Sequence, residues 1–305
     1  MSSLTRVTVL AGGPSAERDV SLSSAREVVS ALREAGYNAE ILDARRESLV
    51  DDLRAQKPDV VFNALHGRWG EDGCVQGLLE WLQIPYTHSG VFSSALAMDK
   101  QRAKECFRAA GLPVVESKLL SASDVLNTHP LKPPYVVKPN NEGSSVGVYI
   151  VNEGDNALSQ MSDEMPETVM VETYVPGREL TTTVMGDRAL TVTDIQSDGW
   201  YDYAAKYEEG GSRHVVPADI PQEIFDACME YSIRAHQALG CQGVSRTDFR
   251  WDEPRGLAGL FLLETNTQPG MTPTSLSPEQ AMKMGISYPE PVSYTHLTLP
   301  TTSRV

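Results

Sequence analysis

The sequence predicts a mixed α/β and α+β protein that begins with a parallel, doubly wound unit. Over roughly residues 1–88, short β-rich runs alternate with helical segments, and this alternation is typical of a parallel sheet covered by helices. Beyond that unit, strand-like runs follow one another more closely and precede a long amphipathic helix at residues 222–239. A chain of 305 residues is long enough for two or three domains.

The elements of the first unit follow from periodicity and from turn residues. Apolar β-rich runs predict strands, and Gly36 marks the end of a helix because glycine readily adopts the left-handed conformation found there. In chain order we expect strand 6–10, helix 21–35, strand 39–42, helix 49–56 and strand 60–65. The glycine turn after the first strand lacks the full three-glycine spacing of a dinucleotide-binding turn, so no dinucleotide is inferred.

The later elements are delimited in the same way. Asp99 is a suitable N-cap for a helix that reaches Ala110, and Gly240 stops the helix at residues 222–239. The turn at residues 186–187 joins the two strands of a hairpin. The expected strands are residues 134–138, 146–151, 169–172, 181–184 and 190–195.

Composition and charge argue against several classes of protein. The formal net charge of −15 disfavours nucleic acid and anionic membranes as partners, because both repel an acidic protein. The N-terminus leads directly into a strand without the layout of a signal peptide, and no apolar run approaches transmembrane length. The four cysteines lie far apart without metal-binding spacing, so we expect reduced thiols and a cytoplasmic protein.

The segment at residues 246–266 carries the most informative pattern. Two aromatic and aliphatic runs flank a polar turn, which predicts a β-hairpin. Because side chains alternate between the faces of a strand, Arg246 and Asp248 share one face, as do Glu264 and Asn266. In-register pairing would gather three oxygen-bearing side chains beside one guanidinium, a set that suits Mg²⁺ together with substrate phosphates. The alternative is an ordinary solvated hairpin face, but the apolar strand ends in a carboxylate that needs a partner.

A second group of residues has the chemistry of a phosphate site. The loop at residues 142–147 holds glycines and serines between two strands, so its backbone N–H groups can approach an anion. Lys138 ends the strand before this loop, and Lys100 lies in the first turn of a helix, where a cation opposes the helix dipole. Each feature has an ordinary alternative: the loop could be a flexible turn, and either lysine could extend into solvent.

The order of these motifs is similar to that of the ATP-grasp superfamily. The chain resembles this superfamily and, within it, the D-alanine–D-alanine ligase family over about residues 5–288. The resemblance rests on residues 12–22, 64–73, 98–100, 137–139, 142–147, 201–207 and 264–271. It implies a Rossmann-like N-terminal domain at residues 1–88, followed by an ATP-grasp fold of two α+β subdomains at residues 89–175 and 176–305.

The resemblance also implies a set of nucleotide and metal contacts. ATP would lie between the two ATP-grasp subdomains with two Mg²⁺ ions, for which Mn²⁺ is an alternative. The phosphate contacts would be Lys100, Lys138 and Lys206. Glu172 and the backbone through Val175 would hold the adenine, and Glu179 the ribose. The metal ligands would be Asp248, Glu264 and Asn266.

The reaction implied by the family joins two D-alanine molecules for peptidoglycan precursor synthesis. ATP phosphorylates the first carboxylate, and the amine of the second D-alanine then displaces phosphate from the acyl phosphate. The resemblance implies that Glu17, Ser144 and Tyr207 surround the ammonium of the first D-alanine and that His66 contacts the substrate. Arg246 and the Gly270 N–H would stabilise the oxyanion of the tetrahedral intermediate. Ser275 would bind the carboxylate of the second D-alanine.

Three of these residues also have simpler interpretations. Glu17 begins a helix, where the dipole favours any carboxylate. His66 could be structural, although it follows a parallel strand at the sheet edge where α/β proteins bind ligands. Ser275 could be the N-cap of the next helix.

Three functions are compatible with the motifs. The first is an ATP-dependent D-alanine–D-alanine ligase. Because the family is usually dimeric through its N-terminal domain, we expect a homodimer of that kind. The second is another carboxylate–amine ligase of the same fold, including a D-alanine–D-lactate ligase, although Tyr207 resembles the peptide-forming type. The third is a nucleotide-binding module without catalysis, against which the complete set of Arg246, Asp248, Glu264 and Asn266 argues.

Two further segments carry expectations of their own. The polar, aromatic and glycine-bearing segment at residues 197–213 is predicted to be a lid that excludes water from a reactive intermediate. The tail at residues 291–305 departs from the family pattern, because its prolines and threonines show no helical stripe where the family has an amphipathic helix.

Overall fold

Three β-sheets organise the chain in the computed structural model, which describes residues 4–15, 17–143, 147–154, 165–196 and 211–289. One sheet is parallel and two are antiparallel, with helices packed against them. This is the mixed α/β and α+β class that the sequence predicts. Most of the predicted lid and the whole of the tail at residues 291–305 lie outside the described residues.

The parallel sheet forms the N-terminal part of the protein. Its elements are β1 (Arg6–Ala11), α1 (Arg18–Glu34), β2 (Asn38–Asp43), α2 (Leu49–Gln56), β3 (Val60–Asn63) and α3 (Cys74–Trp81). The strand order is β2-β1-β3, and both pairings are parallel. Val28 of α1 packs on one face with Val9, whereas Leu53 of α2 and Leu79 of α3 pack on the other with Leu10. Helices therefore cover both faces, as a doubly wound unit requires.

Several boundaries in this part differ from the prediction by one to three residues, and side-chain hydrogen bonds explain two of them. Helix α1 begins at Arg18 rather than at Ser21. Ser21 is buried and its hydroxyl donates to the Ala64 carbonyl at 2.6 Å, so it joins the helix to the sheet. Strand β3 ends at Asn63 because the Asn63 side chain accepts a hydrogen bond from the Leu65 N–H at 3.2 Å and turns the chain.

The four-stranded antiparallel sheet comes next along the chain. Two helices precede it, α4 (Val91–Met98) and α5 (Lys100–Ala109). The sheet itself and the helix inserted in it comprise β4 (Ser117–Ser121), α6 (Ala122–Asn127), β5 (Tyr135–Pro139), β6 (Tyr149–Val151) and β7 (Thr168–Thr173). The strand order is β4-β7-β5-β6. Asp99 caps α5 as predicted, accepting from the Arg102 N–H at 3.1 Å. One face of α5 is buried and carries Lys100 and, one turn later, Lys104.

The five-stranded antiparallel sheet completes the described chain. Its elements are β8 (Arg178–Met185), β9 (Arg188–Gln196), β10 (Arg213–Val215), α7 (Gln222–Leu239), β11 (Val244–Trp251), a 3₁₀ helix (Glu253–Gly259), β12 (Leu260–Asn266) and α8 (Leu276–Lys283). The strand order is β10-β9-β8-β11-β12. Helix α7 has the predicted bounds and ends at Gly240, whose φ of 68° is left-handed.

Five short elements were not predicted from the sequence: α3, α4, α6, β4 and β10. Helix α4 illustrates why, because it follows Gly90 and has no side-chain cap. Strand β10 has only three residues and owes its conformation to pairing with β9. No helix among the described residues is long and apolar enough to cross a bilayer.

Candidate active site

A cavity of about 520 Å³ lies among loops and helix ends contributed by all three sheets. The predicted site residues that line it are Glu17, His66, Lys100, Arg246, Glu264, Asn266, Gly270 and Ser275. These residues are spread over more than 250 positions of sequence, from the start of α1 to the N-cap of α8. The fold therefore brings together side chains that the sequence could assign only one motif at a time.

The hairpin of β11 and β12 places its polar side chains as the strand alternation predicts. Arg246 lies opposite Asn266, and Asp248 lies opposite Glu264. The Arg246 guanidinium donates to both carboxylate oxygens of Asp248, at 2.9 and 2.8 Å. Asp248 is only 8% exposed and also accepts from the Thr181 hydroxyl at 2.6 Å. The alternative of an ordinary solvated hairpin face is therefore wrong.

The donor set at this end of the hairpin fits a hard divalent cation. Glu264 Oε2 lies 3.3 Å from Lys100 Nζ, and Asp248 is paired with Arg246. Both carboxylates therefore already face a positive charge. Asn266 Oδ1 accepts from the Gln268 N–H at 2.7 Å. Among the described residues, no three His, Cys, Asp or Glu side chains gather as a metal site. Two carboxylates and one amide oxygen match Mg²⁺, which completes its shell with water and substrate phosphate.

His66 also lines the cavity and lies beyond the end of β3. Its Nδ1 is 3.2 Å from Oε1 of Glu71, a residue that the sequence did not single out. Burial opposes charging of the imidazole, but the hydrogen bond to Glu71 and the charges of Glu71 and Glu17 together raise the pKa of His66. His66 can therefore carry a proton and a positive charge beside a carboxylate-bearing ligand.

Glu17 lies close to two glycines. A Cβ atom at Gly67 would approach Glu17 Oε1 to 3.1 Å, and one at Gly143 would approach it to 3.6 Å. Gly67 also has a φ of 68°, which favours glycine. The first residues of the predicted glycine–serine loop thus approach the Glu17 carboxylate, whereas Ser144, assigned to the same network, lies outside the described residues.

Lys100 occupies the first position of α5, and its contacts explain why a cation stands at a helix N-terminus. Its Nζ donates to the Glu142 carbonyl at 2.5 Å and lies near Glu264. The lysine is 9% exposed, so the alternative in which it extends into solvent is wrong.

Lys138 belongs to a buried cluster of three charges with Glu172 and Lys104. Lys138 Nζ lies 2.6 Å from Glu172 Oε1, while Lys104 Nζ contacts Oε2 of the same carboxylate. Burial raises the pKa of Glu172, but the two ammonium groups outweigh it and lower that pKa to about 2. Burial lowers the pKa of Lys104, as does repulsion from Lys138. Sequence reasoning missed Lys104, although its spacing of one helical turn from Lys100 was a usable signal.

Glu179 and Val175 lie outside the first cavity. Glu179 lines a second cavity of about 860 Å³, and its Oε2 is 3.5 Å from Nη1 of Arg250. The Val175 carbonyl accepts from Arg250 Nε at 3.2 Å. Burial opposes charging of Lys138, but the charges of Glu172, Glu264 and Glu179 raise its pKa.

Gly270 and Ser275 form one corner of the first cavity. A Cβ at Gly270 would come within 2.9 Å of Ser275 Oγ, so this close approach requires glycine. Ser275 is the N-cap residue of α8, but its side chain makes no capping hydrogen bond. Its hydroxyl accepts instead from the Thr272 N–H at 3.1 Å. Ser275 is therefore the N-cap residue that the alternative interpretation expected, although its hydroxyl bonds to Thr272 rather than to the helix.

Two predicted site residues and one unpredicted histidine belong to the segment around the predicted lid. Lys206 and Tyr207 lie outside the described residues. His214 lines the first cavity and pairs with Glu279 at 2.8 Å, and no motif had marked it. It follows the predicted lid on β10, a strand too short to be recognised from sequence.

Comparison with protein families and relatives agrees with this geometry. The model of the D-ala D-ala ligase C-terminus matches residues 106–294, and that of the N-terminus matches residues 42–89. The D-alanine–D-alanine ligase of Ruegeria pomeroyi is 68% identical over 290 residues, which cover 94% of this chain and 94% of that protein. The D-alanine–D-alanine ligase of Jannaschia sp. is 63% identical over 298 residues, with 94% of each chain covered.

Solved structures give the same answer. The D-alanine–D-alanine ligase of Bacillus anthracis superposes with a TM-score of 0.81 at 31% identity, covering 95% of this chain and 96% of that one. The same ligase complexed with ATP superposes with a TM-score of 0.79 at 28% identity and the same coverage. The fold is therefore the ATP-grasp fold of these enzymes, and the chain belongs to the D-alanine–D-alanine ligase family.

Proposed function

We propose that this protein joins two D-alanine molecules to D-alanyl-D-alanine at the expense of ATP, by way of an acyl phosphate, for peptidoglycan precursor synthesis. One observation carries the proposal: a single cavity is lined by Glu17 and His66 and also by Arg246 and Glu264. Carboxylate and imidazolium groups suit a zwitterionic amino acid, and the hairpin residues suit phosphate and an oxyanion. The activity of the relatives and the ATP complex of the Bacillus anthracis ligase support the same assignment.

In the first step, a carboxylate oxygen of the first D-alanine attacks the terminal phosphorus of ATP, and the bond to the bridging oxygen breaks to release ADP. Glu17 binds the ammonium of this D-alanine, with Ser144 and Tyr207 completing the network, and His66 holds the substrate from the β3 side. Phosphoryl transfer needs positioning and charge neutralisation more than covalent help from the protein. The ammonium groups of Lys100, Lys138 and Lys206 supply positive charge to the phosphates.

In the second step, the neutral amine of the second D-alanine attacks the acyl carbon, and phosphate leaves with the electron pair of the broken C–O bond and takes up the proton that the amine loses. The intermediate carries an oxyanion, which Arg246 and the Gly270 N–H stabilise. Ser275 receives the carboxylate of the second D-alanine. The close approach between Gly270 and Ser275 supports this pairing, because both lie in one corner of the cavity.

Glu172 and the backbone at Val175 hold the adenine, and Glu179 holds the ribose. Asp248, Glu264 and Asn266 would hold two Mg²⁺ ions, or Mn²⁺ in their place, and the bound metal neutralises phosphate charge. The fit of the donor set supports this assignment, since hard oxygen ligands converge where the hairpin meets the cavity.

The protein's wider organisation is part of the same proposal. The domains are residues 1–88, 89–175 and 176–305, and two copies form a homodimer through the first. Trp81 at the end of α3 and Phe92 in α4 support a dimer near that domain, because they are 85% and 74% exposed. The enzyme works in the cytoplasm, and its four free cysteines are in keeping with a reducing compartment.

One experiment tests the activity. Protein, ATP and Mg²⁺ are mixed, D-alanine is added, and phosphate release is followed while the product is identified by mass. We expect D-alanine-dependent phosphate release and D-alanyl-D-alanine. A product formed only when D-lactate is supplied would indicate the ester-forming type, and nucleotide binding without phosphate release would indicate a non-catalytic module.

A further inference from the structure

Gln268 makes a buried bridge between two parts of the protein that are far apart in sequence. It lies on the loop after β12 and is 2% exposed. Its Oε1 accepts from Asn63 Nδ2 at 2.6 Å, and its Nε2 donates to the carbonyl of Leu65. Its own N–H donates to Asn266 Oδ1 at 2.7 Å. A single residue therefore connects the end of β3 to the end of β12.

The two ends of this bridge lead to two groups of residues that line the cavity. Leu65 immediately precedes His66. Asn63 also donates to the Gly70 carbonyl at 2.8 Å, so it holds both sides of the loop that presents His66 and Glu71. At the other end, Asn266 closes the strand that carries Glu264.

We propose that Gln268 is a positioning residue that sets the distance between His66 and the hairpin residues Glu264 and Asn266. The inference rests on the proposed function: the first D-alanine lies against His66, and its carboxylate must meet the phosphate held at the hairpin residues. Both ends of the Gln268 amide are hydrogen-bonded inside the protein, which specifies the spacing more strictly than apolar packing does. Misplacing a reacting group by about 1 Å can cost roughly a hundredfold in rate.

Gln76 provides a matched control. It is 1% exposed and donates to the same Gly70 carbonyl at 2.8 Å, but its hydrogen bond stays within the N-terminal part of the protein. Gln76→Met and Gln268→Met thus remove the same chemical group at the same degree of burial. Only Gln268→Met cuts the connection to β12.

The test measures kcat and the KM values for D-alanine and ATP by phosphate release, together with the melting temperature of each variant. We expect Gln268→Met to lower kcat/KM for D-alanine by about tenfold to a hundredfold. The KM for ATP should stay within about twofold, because Lys138, Glu172 and Glu179 lie on strands that Gln268 does not touch. Gln76→Met should keep near wild-type kinetics even where its melting temperature falls.

Gln268→Asn is a second variant for the case in which Gln268→Met does not fold. Asparagine keeps both polar groups of the amide but is one methylene too short to make both hydrogen bonds. It should show the same selective loss for D-alanine. Wild-type kinetics in Gln268→Met, or equal kinetic losses in the Gln76 and Gln268 variants, would overturn the inference. A wild-type protein that releases no phosphate with D-alanine would refute the proposed function and the inference together.

Discussion

Replacing Lys104 with methionine tests the buried cluster of Lys104, Glu172 and Lys138. Lys104 has no exposed side-chain surface, and its ammonium contacts one oxygen of Glu172 while Lys138 contacts the other at 2.6 Å. Methionine has a similar length and no charge, so it preserves packing while removing the cation. One oxygen of a buried carboxylate is then left without its ammonium partner.

The pKa of Glu172 gives the size of the effect. The two lysines lower it from 4.5 to about 2 despite burial. At about 1.4 kcal/mol per pKa unit, this net shift stabilises the folded protein with Glu172 ionised by about 3 kcal/mol. Because the folded pKa is depressed, this contribution is present above pH 4.5 and is lost as the pH falls through about 2. The desolvation that lowers the pKa of Lys104 offsets part of the gain.

Breaking a buried ion pair by removing one partner costs about 3–5 kcal/mol. Because Lys138 still pairs with Glu172, we expect Lys104→Met to lower the free energy of unfolding by about 3 kcal/mol, at the low end of that range. For a chain of this size the melting temperature should fall by roughly 6 °C. Urea unfolding at neutral and mildly acidic pH measures the free energy of unfolding directly. The loss should shrink towards acidic pH, because the wild-type contribution of ionised Glu172 is itself lost there, whereas Glu172 with one ammonium has a pKa closer to its unfolded value and has less to lose.

Lys118→Met is the control for the same chemical change at the surface. Lys118 lies on β4 with 56% of its side chain exposed and is 3.6 Å from Glu116, so the free energy of unfolding should change by less than about 0.5 kcal/mol. Equal stability of the two variants would show that Lys138 alone balances Glu172, and the argument from the cluster would fail.

Three further predictions concern the cavity. Glu264→Gln should lose most activity while ATP still binds weakly, because one charge that offsets Mg²⁺ is gone; unchanged turnover at saturating Mg²⁺ would remove Glu264 from the metal site. Glu71→Gln should lower the pKa of His66, which an NMR titration would follow. Because the pKa of folded His66 is raised above 6.5, its pairing with Glu71 stabilises the fold below pH 6.5, and this stabilisation fades as the pH rises through the pKa of folded His66. A Glu71→Gln variant whose stability depends on pH as in the wild type would contradict this. Gly270→Ala should lower kcat by about tenfold or more, because its Cβ would lie 2.9 Å from Ser275 Oγ; full activity would show that the loop can relax.

Local sequence determined much of the framework. The period-two alternation placed Arg246 with Asp248 and Glu264 with Asn266, and the hairpin has the register that joins those pairs. Helix α7 has the predicted bounds because its amphipathic pattern is long and ends at a left-handed glycine. Short elements such as α4 and β10 escaped prediction, since their conformation depends on neighbours rather than on caps or periodicity.

The site shows the same division between local and tertiary information. Motifs marked Glu17, His66 and the hairpin residues as polar groups at element ends, where ligands bind. The sequence around Lys104 and Gln268 does not identify their buried partners, because those partners lie 68 and more than 200 positions away. A buried charge or amide is stable only with a partner at hydrogen-bonding distance. The sequence by itself therefore determined which chemical groups are present, and the tertiary packing decided which of them meet.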